Sequence, residues 1–449
     1  MNICIIGCGY VGLVSGACFS EFGWAVACVD NDGARIADLE RGIVPIFEPG
    51  LGDLIERNRG AGRLNFTTDL KRSVSGADVV FLAVGTPMRR GDGHADLTFI
   101  REAVAELAPH LSGFTVVATK STVPVGTSRE IEALLSQLNP TADVAVCSNP
   151  EFLREGSAIR DFTHPDRVLV GCDEERAAAV LERLYKPLAL RSAPVMFVGR
   201  ESAELAKYAA NAFLAMKVSF INEVADLCEA TGADVQEVAS AIGSDGRIGN
   251  KFLHPGPGYG GSCFPKDVSA LIRTSRMHQA PLTLVEQVER VNSARKTRMA
   301  QRIVGALGGD VGGKTICILG VTFKPETDDM REAPSLDIIP ALQKAGALVR
   351  AYDPHGRESA AKLLDGVAWC DSVFEAASGA HGVVVLTEWN EFRAVELNAL
   401  ASRMAGHTLI DLRNMFASAD ALAAGLDYHG IGRASLSADN AMAKRAAAE

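Results

Sequence analysis

The sequence predicts an α/β protein with two Rossmann-like, doubly wound domains joined by a central region of long helices. Three observations carry this expectation. The chain opens on an apolar run, a glycine-rich turn and a small-residue segment that leads into a second apolar run. The same order of runs returns after Lys314. Between them, from about Ala203 to Leu307, apolar residues recur at helical spacing and little strand signal intervenes. The 449 residues thus divide into a first α/β part over 1–200, a helical part over 201–308, a second α/β part over 309–434 and a frayed, Ala-rich tail over 435–449.

Residues 3–6 (Ile-Cys-Ile-Ile) run into Gly7-Cys8-Gly9-Tyr10-Val11-Gly12, small and apolar residues follow to Phe22, and a second run from Ala25 to Val29 ends at Asp30. Strand, glycine turn, helix and a second strand closed by an acid make a dinucleotide-binding fingerprint. Gly7 permits the tight turn, Gly9 lets the backbone approach a pyrophosphate, and Gly12 lets helix and strand pack closely. The free N–H groups and positive end of the helix favour phosphate. Asp30 stands where a carboxylate accepts hydrogen bonds from the adenosine ribose and repels a 2′-phosphate, so NAD is expected over NADP. Further apolar runs, 79–84, 116–118 and 144–147, end in Gly85-Thr86-Pro87, Lys120-Ser121-Thr122 and Asn149-Pro150-Glu151. Strands that end in small polar residues suit a parallel sheet that binds ligand at its carboxyl edge.

No Pro or Gly interrupts residues 203–231, and Gly232 is a natural stop. A second helical stretch spans about 282–307, and the Gly- and Pro-rich segment from Gly243 to Gly261 must be loop. Long helices of this kind are a common place for oligomer contacts. Thr315-Ile316-Cys317-Ile318-Leu319-Gly320 then echoes the opening segment, and Leu348-Val349-Arg350-Ala351-Tyr352-Asp353 echoes the run to Asp30. Residues 383–386 and 408–412 supply two more buried-strand candidates. This second unit lacks the full glycine fingerprint after its first strand, and it reads either as a structural α/β domain or as one that binds a second nucleotide-containing ligand.

Composition narrows the classes of function. Hydrophobic residues make up 47% and charged residues 22%, the balance of a soluble globular protein. Lys+Arg number 45 against 55 Asp+Glu, a formal charge of −10, which offers no overall attraction to nucleic acid or to an anionic membrane. The ten cysteines are scattered, with no two-residue gap of the zinc-ribbon kind. Neither a disulfide framework nor a metal site is expected, and a reducing, cytoplasmic setting is. The first basic residue is Arg35 and glycines interrupt the opening twenty residues, which argues against a signal peptide. No stretch is long and charge-free enough to span a membrane.

The segment Pro257-Gly258-Tyr259-Gly260-Gly261-Ser262-Cys263-Phe264-Pro265-Lys266-Asp267 holds the most chemistry. Packing does not explain a cysteine held in a glycine-rich loop with Lys266 and Asp267 just beyond. A nearby cation favours the thiolate, which is the nucleophilic form. The other nine cysteines read as structural, several of them in apolar runs.

Six separated motifs now stand in order: the N-terminal fingerprint, Ser121-Thr122-Val123-Pro124-Val125-Gly126-Thr127, Asn149-Pro150-Glu151-Phe152-Leu153-Arg154-Glu155-Gly156, Glu204-Leu205-Ala206-Lys207-Tyr208, the Cys263 loop, and Phe323-Lys324 with Thr327-Asp328-Asp329-Met330-Arg331. Together they resemble the UDP-glucose/GDP-mannose dehydrogenase family, over nearly the whole chain to about Arg433. The resemblance implies a four-electron oxidation of a nucleotide-sugar C6 alcohol to a carboxylate with two NAD. Cys263 would form first a thiohemiacetal and then a thioester that water hydrolyses. It implies that Lys207 and Asn211, four apart and so on one helix face, stabilise oxyanions at C6. Asp267, and a water held by Thr122 and Glu151, would move protons.

The resemblance also implies binding roles. Val11, Asp30, Arg35, Thr86, Thr122, Glu155, Lys266 and Arg331 match positions that contact NAD beside Gly7, Gly9 and Gly12, with Arg35 standing where the family often has Lys. Phe152, Leu153, Arg154 and Glu155, then Phe252, Leu253, His254, Pro255, Gly256, Gly260 and Lys324, match positions that line the nucleotide sugar. Arg247 matches an arginine that reaches into the partner subunit's site, which implies a homodimer.

Within the family, the segment from Tyr259 to Asp267 is similar to the UDP-glucose branch, with UDP-glucuronate as product. GDP-mannose enzymes share Gly-Gly-Ser-Cys but typically carry Leu in place of Phe264. The N-acetylhexosamine branch usually has His before the Cys and lacks the Lys-Asp pair. A non-catalytic NAD-binding sensor would need no thiol, and a two-electron hydroxyacid dehydrogenase would leave both the Cys loop and the second α/β unit unexplained.

Overall fold

A computed structural model of the chain describes residues 1–87, 95–189 and 193–438; residues 439–449 of the expected tail lie outside the described residues. The chain divides into two compact units, Met1–Ala210 with Ser269–Pro281, and Asn211–Val268 with Leu282–Glu449. The first carries an eight-stranded sheet of β1 (Asn2–Ile6), β2 (Ala25–Val29), β3 (Leu64–Thr67), β4 (Val79–Leu82), β5 (Thr115–Thr119), β6 (Val144–Ser148), β7 (Val168–Gly171) and β8 (Val195–Val198), in the order β3-β2-β1-β4-β5-β6-β7-β8. The second carries β9 (Thr315–Leu319), β10 (Leu348–Tyr352), β11 (Val367–Trp369), β12 (Gly382–Val385), β13 (Thr408–Asp411) and β14 (Asp427–Gly430), in the order β11-β10-β9-β12-β13-β14. In both sheets the sequence-first strand lies in the middle and the order reverses beside it, the doubly wound pattern.

Strand periodicity sorts the cores. Ile3 and Ile5 pack into one face of the first sheet with Val79 and Phe81, while Cys4 and Ile6 pack into the other with Val80 and Leu82. Ile316 and Ile318 part from Cys317 and Leu319 in the same way. Helices cover both faces, so both alternating sets of side chains are buried beyond the first residue and the strand reads as an apolar run. Each large apolar side chain so enclosed stabilises the fold by about 1.5–3 kcal/mol.

One joint departs from the expected parallel sheet. β6 and β7 are antiparallel and meet only at their ends, through Ser148 and Gly171. The segment between them turns back without a full crossover helix, holding only the short helix Ala158–Thr163. No strand lies between Val198 and Thr315. That region holds the helices Arg200–Thr231, Val235–Gly243, Phe264–Met277 and Thr283–Ala306, the first beginning in one unit and ending in the other. Gly243 ends a helix, and the loop predicted from there follows it. The first residues after Ser435 are bonded to the second sheet: Leu436 pairs with Tyr428 in both directions, at 2.8 and 3.0 Å, and the Ala438 N–H donates to Asp427 at 2.8 Å. Among the described residues no helix is long and apolar enough to cross a membrane.

At the carboxyl end of β5, Lys120 is enclosed by the rings of Phe81, Phe162 and Tyr185, each 5.6–5.7 Å from its ammonium. Its Nζ donates to Asn149 Oδ1 at 3.0 Å and to the Tyr185 hydroxyl at 3.1 Å. Asn149 Nδ2 donates in turn to the Leu169 carbonyl at 2.8 Å. The network ties β5 to the segment that leaves β6. Burial, opposed by the Glu151 carboxylate and aided by Lys207, pushes the Lys120 ammonium down to about 8. A lysine in the unfolded chain titrates near 10.4, so the unfolded state binds more protons between these values and folding becomes more favourable as pH rises through the window. Measured against Lys120→Met, which does not titrate, the wild type is expected to gain about 2–3 kcal/mol of stability between pH 7.5 and 10.5 in urea denaturation. A difference that stays constant with pH contradicts a depressed, buried lysine.

Candidate active site

The opening turn fits a dinucleotide closely. Gly7 has φ 104°, and a Cβ on Gly12 would lie 1.9 Å from the Gly7 carbonyl oxygen, so neither tolerates a side chain. Gly9 caps the helix Tyr10–Glu21 without a side-chain bond, and nothing lies within 4 Å of where its Cβ would stand. That leaves uncapped N–H groups under open space, the arrangement that receives a pyrophosphate. Val11 lies half-buried in the first turn of the same helix. Asp30 Oδ2 accepts from the Cys8 N–H at 2.7 Å and from Arg35 Nη1 at 3.1 Å, and Oδ1 accepts from the Asp32 N–H at 3.0 Å. A carboxylate offers about four acceptor positions, so Asp30 both fastens the turn and keeps capacity for a ribose hydroxyl. Across the sheet edge, the Thr86 hydroxyl donates to the Thr122 carbonyl at 3.0 Å. The residues present fit NAD.

In the first unit a buried carboxylate joins two distant motifs. Glu204 Oε2 accepts from the Gly126 N–H at 2.6 Å, and Oε1 accepts from the Ser128 N–H at 2.8 Å and its hydroxyl at 2.6 Å. Gly126 needs its left-handed φ of 95° to present that N–H. Burial pushes the Glu204 carboxyl up, although all three donors oppose this. One turn along the helix, Lys207 Nζ stands 3.6 Å from Glu151 Oε1 and 5.1 Å above the Phe152 ring. Lys207 and Glu151 are both buried, so each charge has the other as compensation. Glu151 also accepts from the Leu153 N–H. Arg154 turns outward to Asp161 at 2.6 Å, and Glu155 is half-buried.

The thiol loop lies in the second unit. The Cys263 carbonyl accepts from the Asp267 N–H at 2.9 Å, so Cys263 caps the helix Phe264–Met277, where the helix dipole favours an anion. Asp267 is buried, accepts from Asn211 Nδ2 at 2.6 Å and pairs with Lys266 Nζ at 2.9 Å. The Phe323-Lys324 and Arg331 motifs form the cradle of this loop. A Cβ on Gly261 would sit 2.7 Å from the Phe323 ring, one on Gly260 would sit 2.3 Å from the Glu332 carbonyl, and the Gly261 N–H donates to the Arg331 carbonyl at 2.8 Å. Lys324 Nζ lies 5.3 Å from the Phe323 ring centre, while the Arg331 side chain pairs with Asp329 at 2.8 Å. Phe252, at φ 64°, packs on Phe264. Leu253, Pro255 and Gly256 are buried and His254 is exposed. Arg247 is 90% exposed and pairs only locally, with Asp245 at 2.6 Å.

Four positioning residues escaped sequence reasoning. Glu48 is buried and accepts from the Tyr10 hydroxyl, from the Gly156 N–H at 2.6 Å and from the Ala158 N–H at 2.8 Å. It fastens the Arg154–Gly156 turn to the dinucleotide turn, and together with burial it pushes the Tyr10 phenol up. Lys120 holds Asn149 as described. Arg295, 1% exposed, donates from Nε to the Gly256 carbonyl at 2.6 Å and from Nη1 to Asp226 at 2.9 Å. Asn292 brackets Tyr259, accepting its N–H at 2.9 Å and donating to its carbonyl at 3.1 Å. Helical spacing could have found the last two, since Asn292 and Arg295 share the buried stripe of Val288 and Met299. Glu48 sits among loop-forming residues and carries no such signal.

Comparison with known proteins covers the same ground. Family models match in three stretches: the NAD binding domain of the UDP-glucose/GDP-mannose dehydrogenase family over residues 1–189, its central domain over 201–294 and its UDP binding domain over 317–418. A UDP-glucose 6-dehydrogenase of Rhizobium meliloti is 55% identical over 435 residues, 96% of this chain and 100% of its own. The Bacillus subtilis UDP-glucose 6-dehydrogenase TuaD is 44% identical over 434 residues, 96% of this chain and 93% of its own. Among solved structures, a UDP-glucose dehydrogenase from the archaeon Pyrobaculum islandicum superposes with a TM-score of 0.89 at 34% identity, covering 96% of this chain and 98% of that one. NAD is the cofactor that the first domain holds. Matches of this reach admit one conclusion: the chain belongs to the UDP-glucose/GDP-mannose dehydrogenase family and is an NAD-dependent oxidoreductase.

Proposed function

We propose that the chain oxidises the C6 alcohol of UDP-glucose to the carboxylate of UDP-glucuronate in two successive two-electron steps, with Cys263 as covalent nucleophile. The observation that carries this is the thiol itself, held at a helix N-terminus by a side-chain-free glycine loop beside the buried Asn211–Asp267 pair. Simple alcohol oxidation has no use for it. The relatives named as UDP-glucose 6-dehydrogenases support the choice of sugar.

NAD, when bound, accepts a hydride from C6 in each oxidation. Residues 1–200 hold it, with Gly7, Gly9, Val11, Gly12, Asp30, Arg35, Thr86, Thr122 and Glu155 as contacts. The remaining chemistry belongs to side chains. A water held by Thr122 and Glu151, together with Asp267, takes the C6 hydroxyl proton as the aldehyde forms. The Cys263 thiolate adds to that aldehyde, which keeps it from escaping and restores a carbon able to release hydride. The Lys207 ammonium and the Asn211 amide stabilise the resulting oxyanion; Asn211 uses one amide hydrogen on Asp267 and keeps the other for this task. Loss of the second hydride leaves a thioester, and water hydrolyses it to the carboxylate and free thiolate.

Residues 309–434 take the UDP portion, with Lys324 beside the loop. The acid that echoes Asp30 supports a different ligand there. Asp353 accepts from the N–H groups of Val321 at 2.6 Å and Gly356 at 2.7 Å and from the Trp389 indole at 3.2 Å, and it is buried. A Cβ on Gly320 would lie 2.4 Å from Thr387. The clearer difference lies two residues on: where the first unit has the side-chain-free Gly9, this turn has the buried Thr322, whose hydroxyl donates to the Lys324 carbonyl at 3.0 Å.

Residues 201–308 supply the dimer contact. Phe213, Phe220 and Leu227, at seven-residue intervals on the long helix, are 58%, 53% and 62% exposed. An exposed apolar stripe of this kind fits a second copy of the chain, with Arg247 free to extend toward the partner subunit's site.

Cys263→Ser is expected to lower kcat at least about a thousandfold while calorimetric UDP-glucose affinity stays within about threefold. Full turnover in that variant contradicts covalent capture. Phe220→Asp is expected to shift the sedimenting species from dimer toward monomer, whereas a dimer of unchanged affinity places the interface off this helix.

A further inference from the structure

The joint between β6 and β7 brings together two thiols that the oxidation chemistry does not use. Ser148 and Gly171 are antiparallel partners, so the register sets the residues one step further, Cys147 and Cys172, opposite each other. Both belong to the same core face: Cys147 is buried within it and Cys172 packs against it, half exposed. Directly opposed residues of an antiparallel pair have Cα atoms about 4.5–5.5 Å apart, inside the span of about 4.4–6.8 Å that a disulfide bridges. Both cysteines are free thiols.

We propose that Cys147 and Cys172 are a redox modification site, which hydroperoxides oxidise to a disulfide across the β6–β7 joint.

The surroundings decide which sulfur reacts first. A hydrogen bond from Cys147, aided by the Glu174 backbone, pushes the Cys172 thiol down to about 7, against burial and the charges of Asp173 and Glu174. The same hydrogen bond, with burial, pushes Cys147 up, while Arg200 opposes this. The buried Arg200 guanidinium, paired with Asp173 at 3.0 Å and Glu132 at 2.9 Å, also donates to the carbonyl of Val146, next to Cys147, at 3.4 Å. When protonated, Cys172 donates to the Glu174 carbonyl at 3.2 Å. The half-exposed Cys172 is therefore the nucleophile and the enclosed Cys147 the resolving thiol.

The Cys172 thiolate attacks one oxygen of the hydroperoxide and the O–O bond breaks. A sulfenic acid forms and an alcohol leaves, or water when the oxidant is hydrogen peroxide. Cys147 then gives its sulfur electron pair to the sulfenic sulfur and loses its proton, and the S–O bond breaks with loss of water. Two thiols lose two electrons and two protons, and one peroxide bond is reduced. The new S–S bond stands two residues before Asn149 on one side, so it would fasten the strand end from which the Glu151 segment departs.

The test treats the full-length reduced protein with one equivalent of hydrogen peroxide, blocks remaining thiols, and digests with trypsin without reductant. Cys147, Cys172 and Cys263 fall on three separate peptides, so reaction at Cys263 does not interfere. The expected product joins peptides 130–154 and 168–176, is two hydrogens lighter than their sum, and separates with dithiothreitol. In Cys147→Ser, dimedone is expected to label Cys172 about tenfold more than in the wild type, because the resolving thiol is gone. In Cys172→Ser, Cys147 is expected to stay reduced. The proposal fails if the 147–172 link is absent while Cys263 is oxidised, or if Cys172 passes to sulfinic acid with Cys147 still reduced.

Discussion

Glu204 reaches from the first turns of the long helix to the backbone of Gly126 and Ser128, and this kind of contact, a buried charge bonded to loop backbone, is what the rest of the structure depends on. Loops that approach a ligand cannot be held by their own side chains, because those must be absent, as in the glycines, or turned toward the ligand. Asp30 holds the dinucleotide turn, Glu48 holds the turn at Gly156, Arg295 holds Gly256, and Asp353 closes the second turn. Hydrogen bonds to a charged group contribute about 1.5–3 kcal/mol each. An exposed arginine pair such as Arg154–Asp161 contributes about 0–1 kcal/mol.

The reactive groups rest on this frame. Cys263 gains its place from Gly260 and Gly261, whose missing side chains admit Phe323 and the Glu332 carbonyl. Asp267 gains its orientation from Asn211 and Lys266. Lys207 is compensated by Glu151 in a site where an unpaired ammonium would carry a large desolvation cost. The two α/β units share a strand order but differ in what their first turns admit: Gly9 leaves open space at the helix N-terminus, whereas the matching position of the second unit carries the buried Thr322. That difference is the physical ground for one dinucleotide domain and one domain with another ligand.

Much of the fold was legible because burial on both faces leaves a local mark. β1, β4, β5, β6, β9 and β12 are buried on both sides and stand out as apolar runs. The strands that sequence reasoning passed over include all four at the sheet edges, β3, β8, β11 and β14. There one side meets solvent, and Asn65, Met196 or His429 interrupts the pattern or faces outward. β7 is buried too, and it was passed over although it is as long and as apolar as β4. The chemical residues were legible through spaced motifs, above all the Cys263 loop. Lys120 and Glu48 were not, since a charged residue looks the same in sequence whether solvent or a distant loop satisfies it, and only the tertiary contact separates the two.

The central claim is that one thiol lets a single site remove two hydrides from one carbon. Stoichiometry tests it most directly: limiting UDP-glucose, excess NAD, and NADH counted per sugar consumed. The account predicts two NADH per UDP-glucose, with UDP-glucuronate as the only sugar product. One NADH per sugar, with an aldehyde released, would contradict it.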